Sequence, residues 1–86
     1  MDKHDISDIL NEIGMLLEIK GENFFKSKAY YDAARAVELL EEDIEVLVRE
    51  DKLKDIKGFG KAISQKVGEL VLNGKLEYYE RLKESV

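Results

Sequence analysis

The chain has 86 residues, no cysteine, proline or tryptophan, and a formal net charge of −5 at pH 7. A chain this short buries only about 60% of its unfolded surface, which allows one modest core and no deep cleft between two domains, while the lack of cysteine rules out disulfides and thiolate metal sites and fits a reducing compartment. No apolar run approaches the roughly 18–20 residues that span a bilayer, and Met1-Asp2-Lys3-His4-Asp5 is too charged to open a signal peptide, so a single cytoplasmic, monomeric domain over residues 1–86 with no membrane partner is expected.

From Ile6 to Lys20, apolar residues Ile6, Ile9, Leu10, Ile13, Leu16 and Leu17 recur at steps of three and four, which predicts a one-faced helix. Asp5 reads as its N-cap, with Asp8 three residues on, and Gly21 as its stop. Gly14 in the middle costs about 1 kcal/mol against alanine and marks a close helix–helix approach. His4, the single histidine, has no partner at a metal-ligand spacing and reads as solvated. After the connection Glu22-Asn23, a second helix is predicted from Phe24 to Leu40. Its inward face is expected to run through Phe25 or the stem of Lys26, then Ala29, Tyr30, Ala33, Ala36, Val37 and Leu40, with Lys26, Lys28, Tyr31 and Arg35 sharing the flanks and outer face. Glu41-Glu42-Asp43 caps a third, short helix, Ile44 to Glu50, and Asp51-Lys52 breaks the pattern after it.

Next comes Leu53-Lys54-Asp55-Ile56-Lys57-Gly58-Phe59-Gly60-Lys61-Ala62-Ile63-Ser64, two glycines bracketing one large apolar residue. Gly58 and Gly60 can both take φ > 0 cheaply, so the chain can turn sharply there, with Phe59 pointing inward as a pin. N–H groups around Gly60 and at the start of the following helix then face outward, an arrangement that accepts an anion. This reads as a helix-hairpin-helix, a clamp on a nucleic-acid phosphate backbone without base readout; the alternative is a turn whose glycines serve sterics alone. The helix after it runs from Lys61 to Asn73, burying Ile63, Val67, Leu70 and Val71, and Asn73-Gly74 stops it. Leu76, Tyr79 and Leu82 mark a last short helix that frays from Lys83 onward. No segment alternates as a strand does. The fold class is all-α, a compact domain of four to five helices with one helix-hairpin-helix.

The charge distribution supports the hairpin reading. Residues 1–50 carry 6 basic and 13 acidic side chains, a balance of −7; residues 51–86 carry 8 and 6, a balance of +2. Lys52, Lys54, Lys57, Lys61 and Lys66 surround the hairpin against Asp55 alone. Phosphate contacts follow local potential, since the Debye length is only about 8 Å at physiological salt. An acidic body with one basic corner implies localised binding.

Three stretches together carry a resemblance over nearly the whole chain: Gly-Glu-Asn-Phe-Phe-Lys-Ser-Lys-Ala-Tyr-Tyr-Asp-Ala-Ala-Arg-Ala (21–36), Leu-Lys-Asp-Ile-Lys-Gly-Phe-Gly-Lys-Ala-Ile (53–63) and Asn-Gly-Lys-Leu-Glu-Tyr-Tyr (73–79). In this order and spacing they resemble the N-terminal domain of bacterial and archaeal X-family DNA polymerases and, more distantly, the lyase domain of DNA polymerase beta. The resemblance implies a DNA-binding module of a repair polymerase that grips gapped or nicked DNA near the downstream 5′-phosphate. It implies hairpin contacts through Lys57, Gly58, Phe59, Gly60, Lys61 and Ala62, a 5′-phosphate pocket with Lys26, Tyr30 and Lys66, and a further contact at Lys75. It also implies a monovalent cation, sodium or potassium, held by the carbonyls of Lys54, Ile56 and Phe59. The family's Schiff-base lysine falls on Lys66. Two other family lysines are unmatched, with Ala62 and Tyr78 in their places, and Phe25 replaces a histidine. The phosphate pocket is therefore thinner, and any 5′-deoxyribose-phosphate lyase activity is expected to be weak or absent.

On helical spacing Lys66 sits about 85° from the centre of the Ile63/Val67/Leu70 face. A lysine at such an edge is partly desolvated, which pushes its amine toward the neutral form a Schiff base requires; Lys61 could add like-charge repulsion by folding back. The alternative is a stem laid along the core edge. The polymerase's metal-binding carboxylates belong to a separate domain in the family, so the chain is expected to be one domain of a longer protein, with a stand-alone homologue as the alternative. A third reading is a protein-interaction module using the acidic half and exposed Tyr30, Tyr31, Tyr78 and Tyr79.

Overall fold

A computed structural model describes residues 1–86 and contains five α-helices and no strand. The first helix, α1 (Lys3–Ile19), begins three residues earlier than the spacing of apolar residues indicates. Asp2 is the N-cap and closes a reciprocal capping box with Asp5, accepting from the Asp5 N–H at 2.9 Å. That N–H holds the Asp2 carboxyl below the ordinary carboxylate range. The added turn has a tertiary use. Lys3 Nζ donates to the carbonyls of Glu38 and Leu40, at 3.0 and 2.9 Å, and so places a cation on the open C-terminal end of the next helix. His4 remains exposed, beside the Glu38 carboxylate at 3.0 Å.

Helix α2 (Phe24–Glu38) is capped by Asn23, whose side chain accepts from the Phe25 N–H at 2.7 Å. It packs along α1, and the two supply half of the buried apolar core. Its buried line is Ser27, Tyr30, Ala33, Ala34 and Val37. The expected inward start is therefore corrected: Phe25 is 76% exposed, turned away from the buried line, and Lys26 is exposed in the first turn although it stands four residues before the buried Tyr30. Tyr31 is corrected too. Its ring covers Gly14, where an added Cβ would lie 2.8 Å from Cε1, and its hydroxyl donates to the Glu18 carboxylate. That hydrogen bond, more than burial, pushes the Tyr31 phenol up to about 12. Gly14 thus marks a close approach, as its place in a helix suggested, but by an aromatic ring. Ser7 adds a buried hydrogen bond to the Ala34 carbonyl at 3.1 Å.

Ser27 is 0% exposed and its hydroxyl has no partner. A buried, unpaired hydroxyl costs about 1–3 kcal/mol, and alanine is the better helix former. Ser27→Ala should therefore raise stability by about 1 kcal/mol; chemical denaturation with an unchanged or lower midpoint would contradict this.

Helix α3 (Ile44–Arg49) is capped by Asp43 and ends where Asp51 enters the left-handed region at φ 56°. A 3₁₀ turn (Leu53–Asp55) then leads to the hairpin, α4 (Lys61–Asn73) and α5 (Glu77–Glu84). Helix α4 packs on α3 and the 3₁₀ turn, and α5 packs on α1. Lys83, expected to be frayed, lies inside α5, paired with Glu80 at 3.1 Å with its ammonium 4.4 Å from the Tyr79 ring centre. The radius of gyration is 12.1 Å, close to the roughly 12 Å of a single folded unit of this length. No helix is long and apolar enough to cross a membrane.

Candidate nucleic-acid interface

The hairpin is built by short-range hydrogen bonds. Ile56 N–H donates to the Leu53 carbonyl at 3.1 Å, and Phe59 N–H to the Ile56 carbonyl at 3.0 Å. Between them Gly58 takes φ +95°, which a side chain rarely allows. Leu53 and Phe59 are buried, so Phe59 is the inward pin its position implied. Its ring faces the core, which leaves only its backbone for any ligand. Gly60 is different from Gly58. It is the N-cap of α4 at φ −84°, ψ 176°, extended backbone that any residue adopts, and an added Cβ would meet open space. The expectation that both glycines supply turn freedom holds for Gly58 alone.

Because Gly60 has no side chain to cap the helix, the N–H groups of Gly60, Lys61, Ala62 and Ile63 make no bond within the chain; the first one that does is Ser64 N–H, to the Gly60 carbonyl at 2.9 Å. These donors converge at the positive end of α4. The lysines around them divide into two sets. Lys52 pairs with Glu50 at 3.3 Å and Lys54 with Asp51 at 3.6 Å. Lys57 and Lys61 are exposed and pair with no carboxylate. The free charge therefore sits next to the free N–H groups.

A second cluster lies where α2, α4 and α5 meet. Tyr30 is only 5% exposed, and its ring stacks on Tyr78 with centroids 6.4 Å apart and planes 10° apart. Burial, then the neighbouring Tyr78, push the Tyr30 phenol far above its ordinary value. Lys66 is half-buried, with its ammonium 4.5 Å from the Tyr78 ring centre. Burial, then the charge of Lys26, push the Lys66 ammonium down, and Glu69 opposes them. The like charge thus comes from Lys26 on α2, in place of the Lys61 suggested by sequence. Lys26 itself pairs with Glu22 at 3.3 Å. Lys26, Tyr30 and Lys66 are brought to one corner as expected, while Lys75 is exposed at the α4–α5 turn and Ala62 is exposed on the first turn of α4. The view of Tyr30 as an exposed contact is corrected; Tyr31, Tyr78 and Tyr79 are half-buried. Sequence reasoning missed Phe24 and Phe25, an exposed edge-on aromatic pair next to Lys26 with centroids 5.9 Å apart. Spacing alone did not single them out, since Phe24 lies three residues before the buried Ser27 and Phe25 four before the half-buried Ala29.

The resemblance implies three carbonyls for a cation, those of Lys54, Ile56 and Phe59. Those of Lys54 and Phe59 accept no hydrogen bond within the chain, and that of Ile56 accepts one. Neutral carbonyl oxygens suit a monovalent ion.

The family model described as a helix-hairpin-helix domain matches residues 1–76. The chain belongs to the helix-hairpin-helix domain family. This domain is also 35% identical over 86 residues to the DNA polymerase/3'-5' exonuclease PolX of Bacillus subtilis (strain 168), a match that takes in all of this chain and 15% of that protein. The likeness to X-family polymerases carried by residues 21–36, 53–63 and 73–79 is thereby borne out, and the domain spans about 15% of the length of the relative it matches.

Proposed function

We propose that the domain binds DNA as a module of an X-family polymerase, gripping gapped or nicked duplexes near the downstream 5′-phosphate. The observation that carries the reading is the set of four unbonded N–H groups at the start of α4, flanked by the unpaired Lys57 and Lys61. Such a surface takes phosphate oxygens and reads no base. The corner of Lys26 and Lys66 suits the terminal phosphate, and the exposed Phe24 and Phe25 beside it suit stacking on an unpaired base. A monovalent cation on the carbonyls of Lys54, Ile56 and Phe59 would add positive charge at the same phosphates.

The test is affinity for a gapped duplex with and without the downstream 5′-phosphate. One charge-assisted contact is worth about 1.5–3 kcal/mol; the low end is expected, about a tenfold preference for the phosphorylated end, because Ala62 and Tyr78 supply no charge. Log affinity should fall with log salt at about −0.9 per phosphate neutralised, with two or three neutralised in all. Equal affinity for the two ends would reduce the site to a general backbone clamp, and no affinity for either would end the DNA reading.

A second reading, 5′-deoxyribose-phosphate lyase, has one observation in its favour: burial and Lys26 push Lys66 toward the free amine. Its amine would attack the sugar's C1′ aldehyde and the 3′-linked phosphate would leave by β-elimination. Borohydride should trap little adduct, and whatever forms should vanish in Lys66→Ala. Efficient trapping by the unmodified protein would make the lyase reading the stronger one.

A further inference from the structure

The ring beneath Lys66 has a consequence for which of these two chemistries the corner performs. Gly74, at φ +69°, reverses the chain after α4, Leu76 is buried at the start of α5, and Tyr78 is thereby carried back against α4. Its ring is held by stacking on the buried Tyr30 and presents itself to the Lys66 ammonium at 4.5 Å. An aromatic face carries the negative lobe of its quadrupole and attracts a cation within about 6 Å of the centroid. A neutral amine gains nothing comparable.

We propose that Tyr78 is a positioning residue that keeps Lys66 an ammonium, so that the Lys26–Lys66 corner holds an anion such as a terminal phosphate and does not present a nucleophilic amine. The proposal rests on the reading of that corner as a phosphate site. The charged groups that bear on Lys66 are Lys26 from α2, which disfavours its charge, and Glu69 from α4, which favours it. Burial disfavours the charge as well. Glu69 is one turn along the same helix and half-exposed, and its Oε2 also accepts from the Glu77 N–H at 3.3 Å. Tyr78 is therefore the contact that opposes both burial and Lys26 from across the site.

The experiment is an NMR titration that follows the Lys66 ε-methylene in the whole chain, with no DNA present. In the unmodified protein, the ε-methylene protons should be shifted upfield by the ring current of Tyr78; unperturbed shifts would overturn the proposal before any variant is made. In Tyr78→Leu the fraction of neutral amine at a fixed pH should rise about threefold. Tyr78→Phe, which keeps the face and loses the hydroxyl, should match the unmodified protein. Lys26→Gln should lower the neutral fraction, which shows that the signal responds to its surroundings. A Leu variant that leaves the neutral fraction unchanged, or a Phe variant that behaves like it, would overturn the role of the ring. Failure here is separate from failure of the phosphate reading, which would show as equal affinity for phosphorylated and hydroxyl ends.

Discussion

Gly58→Val should lower the melting temperature by roughly 4–24 °C and weaken binding to gapped DNA at least about tenfold. Gly58 stands at φ +95°, outside the region open to a side chain, and forcing a β-branched residue there costs about 1–3 kcal/mol. The chain can relieve that strain only by opening the turn that aims the α4 N–H groups, so fold and binding fail together. Gly60→Ser should separate the two. Its backbone is ordinary and its Cβ direction is empty, and serine is a favoured N-cap whose hydroxyl accepts from the N2 or N3 N–H. Stability should hold or rise by a few tenths of a kcal/mol, while DNA affinity falls about tenfold because one phosphate donor is taken and the approach is narrowed. A Gly60→Ser variant that binds DNA as before would remove the α4 N-terminus from the interface.

Leu76→Ala should cost about 2–5 kcal/mol, a large part of the roughly 4–13 kcal/mol that a domain of this length has. Leu76 is 1% exposed at the N-cap of α5 and, with Leu82, ties that helix to the core. The loss should not be uniform. Tyr78 follows two residues later, so loosening α5 withdraws the ring from Lys66 and Tyr30 while the hairpin stays pinned by Leu53 and Phe59. At a temperature where the variant is folded, the preference for a 5′-phosphate should shrink more than the affinity for an unphosphorylated gap. Equal losses on both substrates would show that α5 does not position the end-binding corner, and a melting temperature within about 4 °C of the unmodified protein would contradict the packing argument.

Helix α4 was legible from Lys61 to Asn73 residue for residue, and so were the stops at Gly21, Asp51 and Gly74. These signals are local: a periodic apolar stripe, a cap and a residue able to take positive φ lie within a few positions of one another. The start of α1 was misplaced because the Asp-x-x-Asp pattern occurs twice, at 2 and 5 and at 5 and 8, and local chemistry does not choose between them. Lys3 decides it by reaching the end of α2, a contact 35 and 37 residues away along the chain.

The same division runs through the candidate site. Residues 53–64 carry the hairpin by themselves: Gly58 to turn, Phe59 to pin, Gly60 to leave the helix uncapped. Helical spacing also puts Lys66 at the edge of an apolar face, because a 3.6-residue period assigns every side chain a direction about its own axis. It does not say which neighbour that direction meets. Only the packing of α2, α4 and α5 brings Lys26 toward Lys66, buries Tyr30 under Tyr78 and lays the Tyr78 ring beneath an ammonium. Residues 12 positions apart on two helices, and a third 48 before Tyr78, share no local pattern. Their meeting is set by long-range burial, which depends on how three apolar faces close on one core.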